Sequence, residues 1–269
     1  MFRYRFVAWS VLAILIAWDG RLYAGWVIDE AVQGSKGQRQ VVLQANRMKS
    51  LTTGEDGKPA TALIIDFNSE TITQVDYAER YYTNAKVQDY VQTMQGAMTE
   101  ASKAMQEAMK NMPADQRKIM EHMMQSHMGS GVPAAVCREP RIEVRKTSQQ
   151  ATIAGYQAVR YDVLNDGKAA SQLWIAKAIS AWTELDPKKI ERFAAEMRQL
   201  ASCNSGQGQR LPGADPSWKL ASEGYPVRTV EASGSSVEVV KAEQRAVPDS
   251  EFQPPNGFAK KTLRAPMGR

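Results

Sequence analysis

The sequence predicts an α+β protein in which an antiparallel β-sheet is interrupted by a helical hairpin, and three observations support that class. Short alternating apolar and polar runs, separated by Gly, Asn and Asp turns, fill the first third and the second half of the chain. Between them, Thr83 to Met128 shows no strand alternation and carries nine of the thirteen methionines and both histidines, His122 and His127. A separate helical period follows Asp186-Pro187.

The first residues read as an export signal. Arg3 and Arg5 precede an apolar run from Phe6 to Trp18, and Leu22-Tyr23-Ala24 is a small-residue exit with cleavage expected after Ala24. The run is too short for a membrane span, and no cysteine stands near the cleavage point to take a lipid. The expectation is a soluble periplasmic protein that is not lipid-anchored, with residues 1–24 as signal peptide and 25–269 as one domain carrying a helical insertion at about 84–128. Losing three arginines and one aspartate with the signal takes the net charge from +5 to +3. The basic residues are scattered without interleaved aromatics, which argues against nucleic acid as a partner.

Trp26 to Val32 and Gln40 to Met48 are β-prone, with a turn at residues 34–37. Leu51 to Pro59 reads as a polar loop whose glycine spacing is wrong for phosphate binding. Thr61 to Phe67 and Thr71 to Tyr77 form a tight hairpin around Asn68-Ser69, and Arg80 to Tyr82 leads toward a helix that Thr83 or Asn84 would cap. Val87, Val91, Met94, Met98, Ala101, Met105, Ala108 and Met112 recur at spacings of four and three, the stripe of a helix packed along a neighbour. Pro113 ends that helix, and a second one presents Ile119, Met120, Met123, Met124, His127 and Met128 on one side and His122 on roughly the other.

Strands resume at Arg141 to Thr147 and Ala151 to Ala154, then at Gln157 to Leu164 and Ala170 to Lys177 around the turn Asn165-Asp166-Gly167. The helix after Asp186-Pro187 has an apolar face of Ile190, Phe193, Ala194, Met197, Leu200 and Ala201 and a charged reverse, so it should lie on the sheet surface. Two strands near Val227 to Glu231 and Val237 to Val247 follow, joined by Ser233-Gly234-Ser235. Cys137 and Cys203 form an even pair, expected as a disulfide in an oxidising compartment. It would close about 67 residues, worth roughly 4 kcal/mol in the chain-entropy model.

Gly155-Tyr156, Leu173-Trp174-Ile175-Ala176, Gly224-Tyr225-Pro226-Val227 and the closing Pro248 to Phe258 resemble the LolA-like superfamily of exported lipoprotein carriers, and more closely a domain-of-unknown-function branch of exported bacterial proteins. That resemblance implies a half-barrel: a strongly curved antiparallel sheet with helices on or closing its concave face, and an apolar space that in better known relatives takes acyl chains. Trp174, Trp182 and Trp218 are aromatic candidates for such a space or for ordinary core.

Three readings of the methionine stripe stay open. Thioethers fill irregular gaps in a core. They also line adaptable cavities, in which case Val91, Met94, Met98, Met105, Met109, Met120, Met124 and Trp174 would touch a lipid or other apolar ligand. As soft ligands they suit Cu(I), with Met123, Met124, His127 and Met128 as the set within reach on one helix. A further class is an interaction module whose seam meets an envelope protein partner. No enzyme is expected, since both histidines sit in the methionine helix and Gly-x-Ser-x-Gly is absent. Asp29, Glu30, Asp66 and Asp76 read as solvated carboxylates of strands and turns. No cofactor is expected.

Overall fold

The computed structural model describes residues 23–33, 37–113, 115–116, 141–201 and 220–263, apart from the side chains of Met98, Ser102, Met105, Gln106, Gln199, Leu200 and Ala201. Twelve strands make one sheet: β1 Tyr23–Val32, β2 Gln38–Gln44, β3 Arg47–Thr53, β4 Pro59–Asp66, β5 Thr71–Asp76, β6 Tyr81–Lys86, β7 Ile142–Ile153, β8 Tyr156–Asn165, β9 Lys168–Ala176, β10 Tyr225–Glu231, β11 Ser236–Val247 and β12 Ala259–Lys260. Their spatial order is β12-β6-β5-β4-β3-β2-β1-β11-β10-β9-β8-β7. All neighbours are antiparallel except the short β12, which runs parallel to β6 through Ala259 and Tyr81. Two α-helices accompany the sheet, α1 Val87–Lys110 and α2 Pro187–Ala201.

The sheet is large, open and curved. In a flat sheet β8 would stand about 14 Å from β11, at roughly 4.8 Å per strand. Yet the Tyr156 hydroxyl on β8 donates to the Ala242 carbonyl of β11 at 2.9 Å. The short β10 allows this, because it pairs with β11 only through Arg228, Thr229 and Val230. Beyond that point the β7–β8 end curls over, so Ile153 and Ala158 join Ile28, Leu43, Ile65 and Ile72 in one core cluster. That cluster lies on the concave side, and α1 and α2 contribute Val87, Tyr90, Val91, Ile190, Phe193 and Met197 to it.

Local chemistry explains α2. The Asp186 carboxylate accepts from the Lys188 N–H at 2.9 Å, and Pro187 occupies the first helical position, where no N–H is needed. Its buried face is the expected one through Met197, with Phe193 edge-on to Phe67 at 5.2 Å. The Leu200 and Ala201 side chains are outside those described.

The convex side has its own core: Val27, Val42, Ala62, Ile64, Val75, Val247 and Phe252. The closing segment straps it. Arg47 bonds Asp249 at 2.7 Å and lies 4.4 Å from the Phe252 ring centre, while Lys49 pairs with Glu251 at 2.7 Å. Further along, Phe258 meets Tyr77 edge-on at 5.5 Å, and β12 covers part of the β6 edge, which would otherwise present unpaired backbone groups.

Several expectations need correction. The run Gln40 to Met48 is broken by a two-residue turn at Ala45 and Asn46, with φ of 48° and 64°; no glycine marks it in the sequence. Leu51 to Thr53 belong to β3, so the loop shrinks to the turn closed by Gly54 N–H on the Lys58 carbonyl at 2.9 Å. Arg141 to Thr147 and Ala151 to Ala154 are one strand with a register irregularity between Lys146 and Gln150. Thr83 and Asn84 do not cap α1: both lie in β6, where Asn84 donates to Thr73 Oγ1 at 2.7 Å, and Lys86 stands at the N-cap without a side-chain bond.

Other expectations are placed rather than corrected. The cleavage point expected after Ala24 lies within β1, where Ala24 opposes Ala246. Of the second helix of the expected hairpin only residues 115–116 are described, both helical; its remainder, Trp218, Cys137 and Cys203 lie outside the described residues.

Candidate functional site

The concave face brings three expected residues together. Val91 is buried, and Met94 and Trp174 are half-buried against the same core cluster. Trp26, Tyr156 and Trp182 join them as half-buried aromatics at its margin. Met109 is half-buried but stands apart from that cluster, and the side chains of Met98 and Met105 are not among those described. Met120, Met123, Met124, His127 and Met128 all lie outside the described residues.

The α1 helix is buried most deeply at its beginning, where Val87, Tyr90 and Val91 are buried and Met94 is half-buried. Among the described side chains further along the four-three stripe, Ala101 and Ala108 are exposed and Met112 is half-buried. Burial raises the Tyr90 phenol above its usual range, partly offset by the Gln74 amide that donates to its oxygen at 3.3 Å. The helix closes where Asn111 N–H returns to the Glu107 carbonyl at 3.2 Å, just before Pro113 as expected.

A buried polar cluster sits on the same face. Glu30 is 3% exposed, not a solvated carboxylate. It pairs with Arg39 across the β1–β2 ladder and accepts from the Tyr225 hydroxyl at 3.0 Å. The Tyr225 ring stacks on Trp182 at 5.4 Å and 29°. Trp182 belongs to a 3-10 turn, Ala181–Glu184, that no pattern in the sequence announces; the Glu184 carbonyl anchors it to Asn46 N–H at 2.8 Å. The indole Nε1 is buried with no hydrogen-bond partner. A charged residue within an apolar strand was the available sequence signal for Glu30, but its partner is 195 positions away in Tyr225. Asp29, Asp66 and Asp76 have local roles: Asp29 accepts from the Gln40 amide at 2.8 Å, and the other two accept backbone N–H groups in turns.

At the far end of the same face the lining turns polar. A depression of about 210 Å³ is bordered by Arg145, Arg160, Asp162, Gln172 and Glu231. Its charges are largely internally matched, with Arg160 on Asp162 and Arg145 on Glu143, each at 2.7 Å. On the opposite face Tyr161 donates to Glu223 at 2.8 Å and Lys146 adds a 3.1 Å ion pair, which together hold the Glu223 carboxyl below its usual range. Among the described residues no helix is long and apolar enough to cross a membrane, and no group of three His, Cys, Asp or Glu side chains is placed to hold a metal.

A family model described as a domain of unknown function, DUF4412, matches residues 68–258. The chain belongs to that family. The DUF4412 match runs from the β4–β5 turn to Phe258 of the strap, and so includes the four segments on which the resemblance rested. No curated protein matches in sequence. Among solved structures, an uncharacterised conserved protein from Thermus thermophilus is similar at 9% identity and a TM-score of 0.43, covering 90% of this chain and 93% of that one. PNGF-II is similar at 11% identity and 0.39, covering 90% and 31%. MucB, in a complex with MucA(peri), is similar at 10% identity and 0.36, covering 91% and 59%. The chain thus spans less than two thirds of the latter two, and likeness at these scores carries no argument about activity.

Proposed function

We propose that this DUF4412 protein is a non-enzymatic, exported binding protein whose concave face receives an apolar ligand, a lipid or acyl chain, beside α1. One observation carries the reading. The margin of the concave core carries half-buried large side chains, Trp26, Met94, Tyr156 and Trp174, and α1 contributes buried or half-buried side chains to that core only between Val87 and Met94. Covering such surface gains roughly 25 cal/mol per Å² removed from water, and an unbranched thioether at position 94 adapts to varied shapes. The LolA-like resemblance of Gly224 to Val227 and Pro248 to Phe258 points the same way. The strap formed by that last segment packs on the convex core, so it does not compete for the concave side.

Native mass spectrometry of protein purified from its own compartment tests this directly. The expected result is a bound apolar molecule, with uptake of a fluorescent fatty acid that falls at least tenfold in Met94→Asp while the far-ultraviolet circular dichroism is retained. A protein that emerges empty and takes up no probe rejects the reading.

A further inference from the structure

We infer that two copies of this chain pair through the open edge of the sheet, residues 141–147 of one running antiparallel to the same residues of the other about a two-fold axis at Val144. The sheet has two edges, and the β6 edge is covered in part by β12. The other edge, β7, is twelve residues long and among the described residues has β8 as its one neighbour. Arg145, Lys146 and Ser148 to Gln150 are exposed along it. Arg141 sets the backbone direction: its N–H donates to Asp166 Oδ1 and its carbonyl accepts from the Asp166 N–H, both at 3.0 Å. Alternation from that point turns the backbone groups of Glu143 and Arg145 toward β8. Those of Ile142, Val144 and Lys146 are directed outward, a template for a further strand.

The side chains decide that the strand is a second copy, and in which register. With the axis at Val144, outward groups meet outward groups: Ile142 pairs with Lys146 of the second copy, and Val144 with its own equivalent. Between them each Glu143 faces Arg145 of the second copy, so both crossings are between opposite charges. Moving the axis to Glu143 or to Arg145 still joins outward groups but sets Glu143 against Glu143, or Arg145 against Arg145, which is destabilising. Within one chain Glu143 and Arg145 already bond at 2.7 Å and stay part-exposed, so pairing strands no charge. The reverse side of the strand fits the same axis. Ile142 and Val144 are half-buried against the small core of Tyr161, Val163, Leu173 and Ile175, which therefore runs out to the edge. A second copy brings its own Ile142 and Val144 beside them and continues that core across the axis. The register irregularity between Lys146 and Gln150 ends the straight ladder, which confines pairing to the first half of β7. A two-fold contact uses the same edge in both chains, so assembly closes at two.

The test is sedimentation equilibrium of the purified protein and three charge variants. The native protein should show a reversible, concentration-dependent monomer–dimer equilibrium. Glu143→Arg and Arg145→Glu each set like charges opposite one another and should weaken the dimer about tenfold. The double variant Glu143→Arg with Arg145→Glu should regain it, and so should an equimolar mixture of the two single variants, because every crossing is again between opposite charges. A role confined to the fold of one chain would not be rescued by mixing. In parallel, amide exchange of Val144 and Lys146 should slow as the concentration of native protein rises, a readout that stands even if a variant folds poorly. A protein that stays monomeric at every concentration, with its edge left to a foreign strand, overturns the inference. So does a dimer that the single variants leave intact, or one that mixing does not restore.

Discussion

Removing one oxygen from Tyr225 should destabilise the whole protein, because that hydroxyl ties the short β10 to β1 through a buried charge. In Tyr225→Phe, Glu30 Oε1 loses a 3.0 Å donor at a position 3% exposed, while Arg39 still serves the other oxygen. Hydrogen bonds to charged groups contribute about 1.5–3 kcal/mol, and no water replaces the donor easily at that depth. A domain of this length shifts its melting point by roughly 2–4 °C per kcal/mol, so Tm should drop by about 3–12 °C. Thermal unfolding followed by circular dichroism measures it. A double-mutant cycle with Glu30→Gln separates the bond from the ring: the double variant should lose clearly less than the sum of the single losses, since the two residues act as a pair. The aromatic stack on Trp182 is kept in Phe, so lost packing is not the cause. A Tm within a degree of the native value would refute the reasoning and mean that water reaches Glu30.

Two further outcomes follow from the same structure. Phe193→Ala removes a side chain 1% exposed that joins α2 to the concave core, and should cost about 3–5 kcal/mol by urea unfolding; a cost under about 1 kcal/mol would mean that α2 is not anchored there. The Glu223 carboxyl titrates below its usual range because Tyr161 and Lys146 stabilise the charged form, so its stabilising contribution is present above the unfolded-state pKa and is lost as pH falls through the folded one. In Glu223→Gln the decline of Tm between about pH 5 and pH 3 should therefore be shallower than in the native protein; parallel curves would refute the pairing.

Much of the strand pattern was legible because alternation and turn chemistry are local. Asn68-Ser69, Asp166-Gly167 and Ser233-Gly234-Ser235 all close hairpins where the residue types require it, and Asp186-Pro187 starts α2 through its own carboxylate. The misses are also local in origin. Ala45 takes a positive φ without the glycine that would announce it, and the register irregularity in β7 reads in sequence as a gap between two strands. Along α1, spacing placed Val91 on a packed face, but it could not say that Ala101 and Ala108 of the same stripe are exposed.

Sequence alone determined the antiparallel class, the position of α1 and α2, and the concentration of methionine around α1, since each depends on residues within a few positions of one another. Tertiary structure decided which way the sheet curls and which carboxylate is buried. Those depend on β10 being too short to hold β8 away from β11, and on a tyrosine meeting a glutamate 195 positions earlier. No local pattern encodes either distance. The same long-range closure turns Trp182, an ordinary aromatic in the sequence, into a fixed and unpaired donor on the concave face.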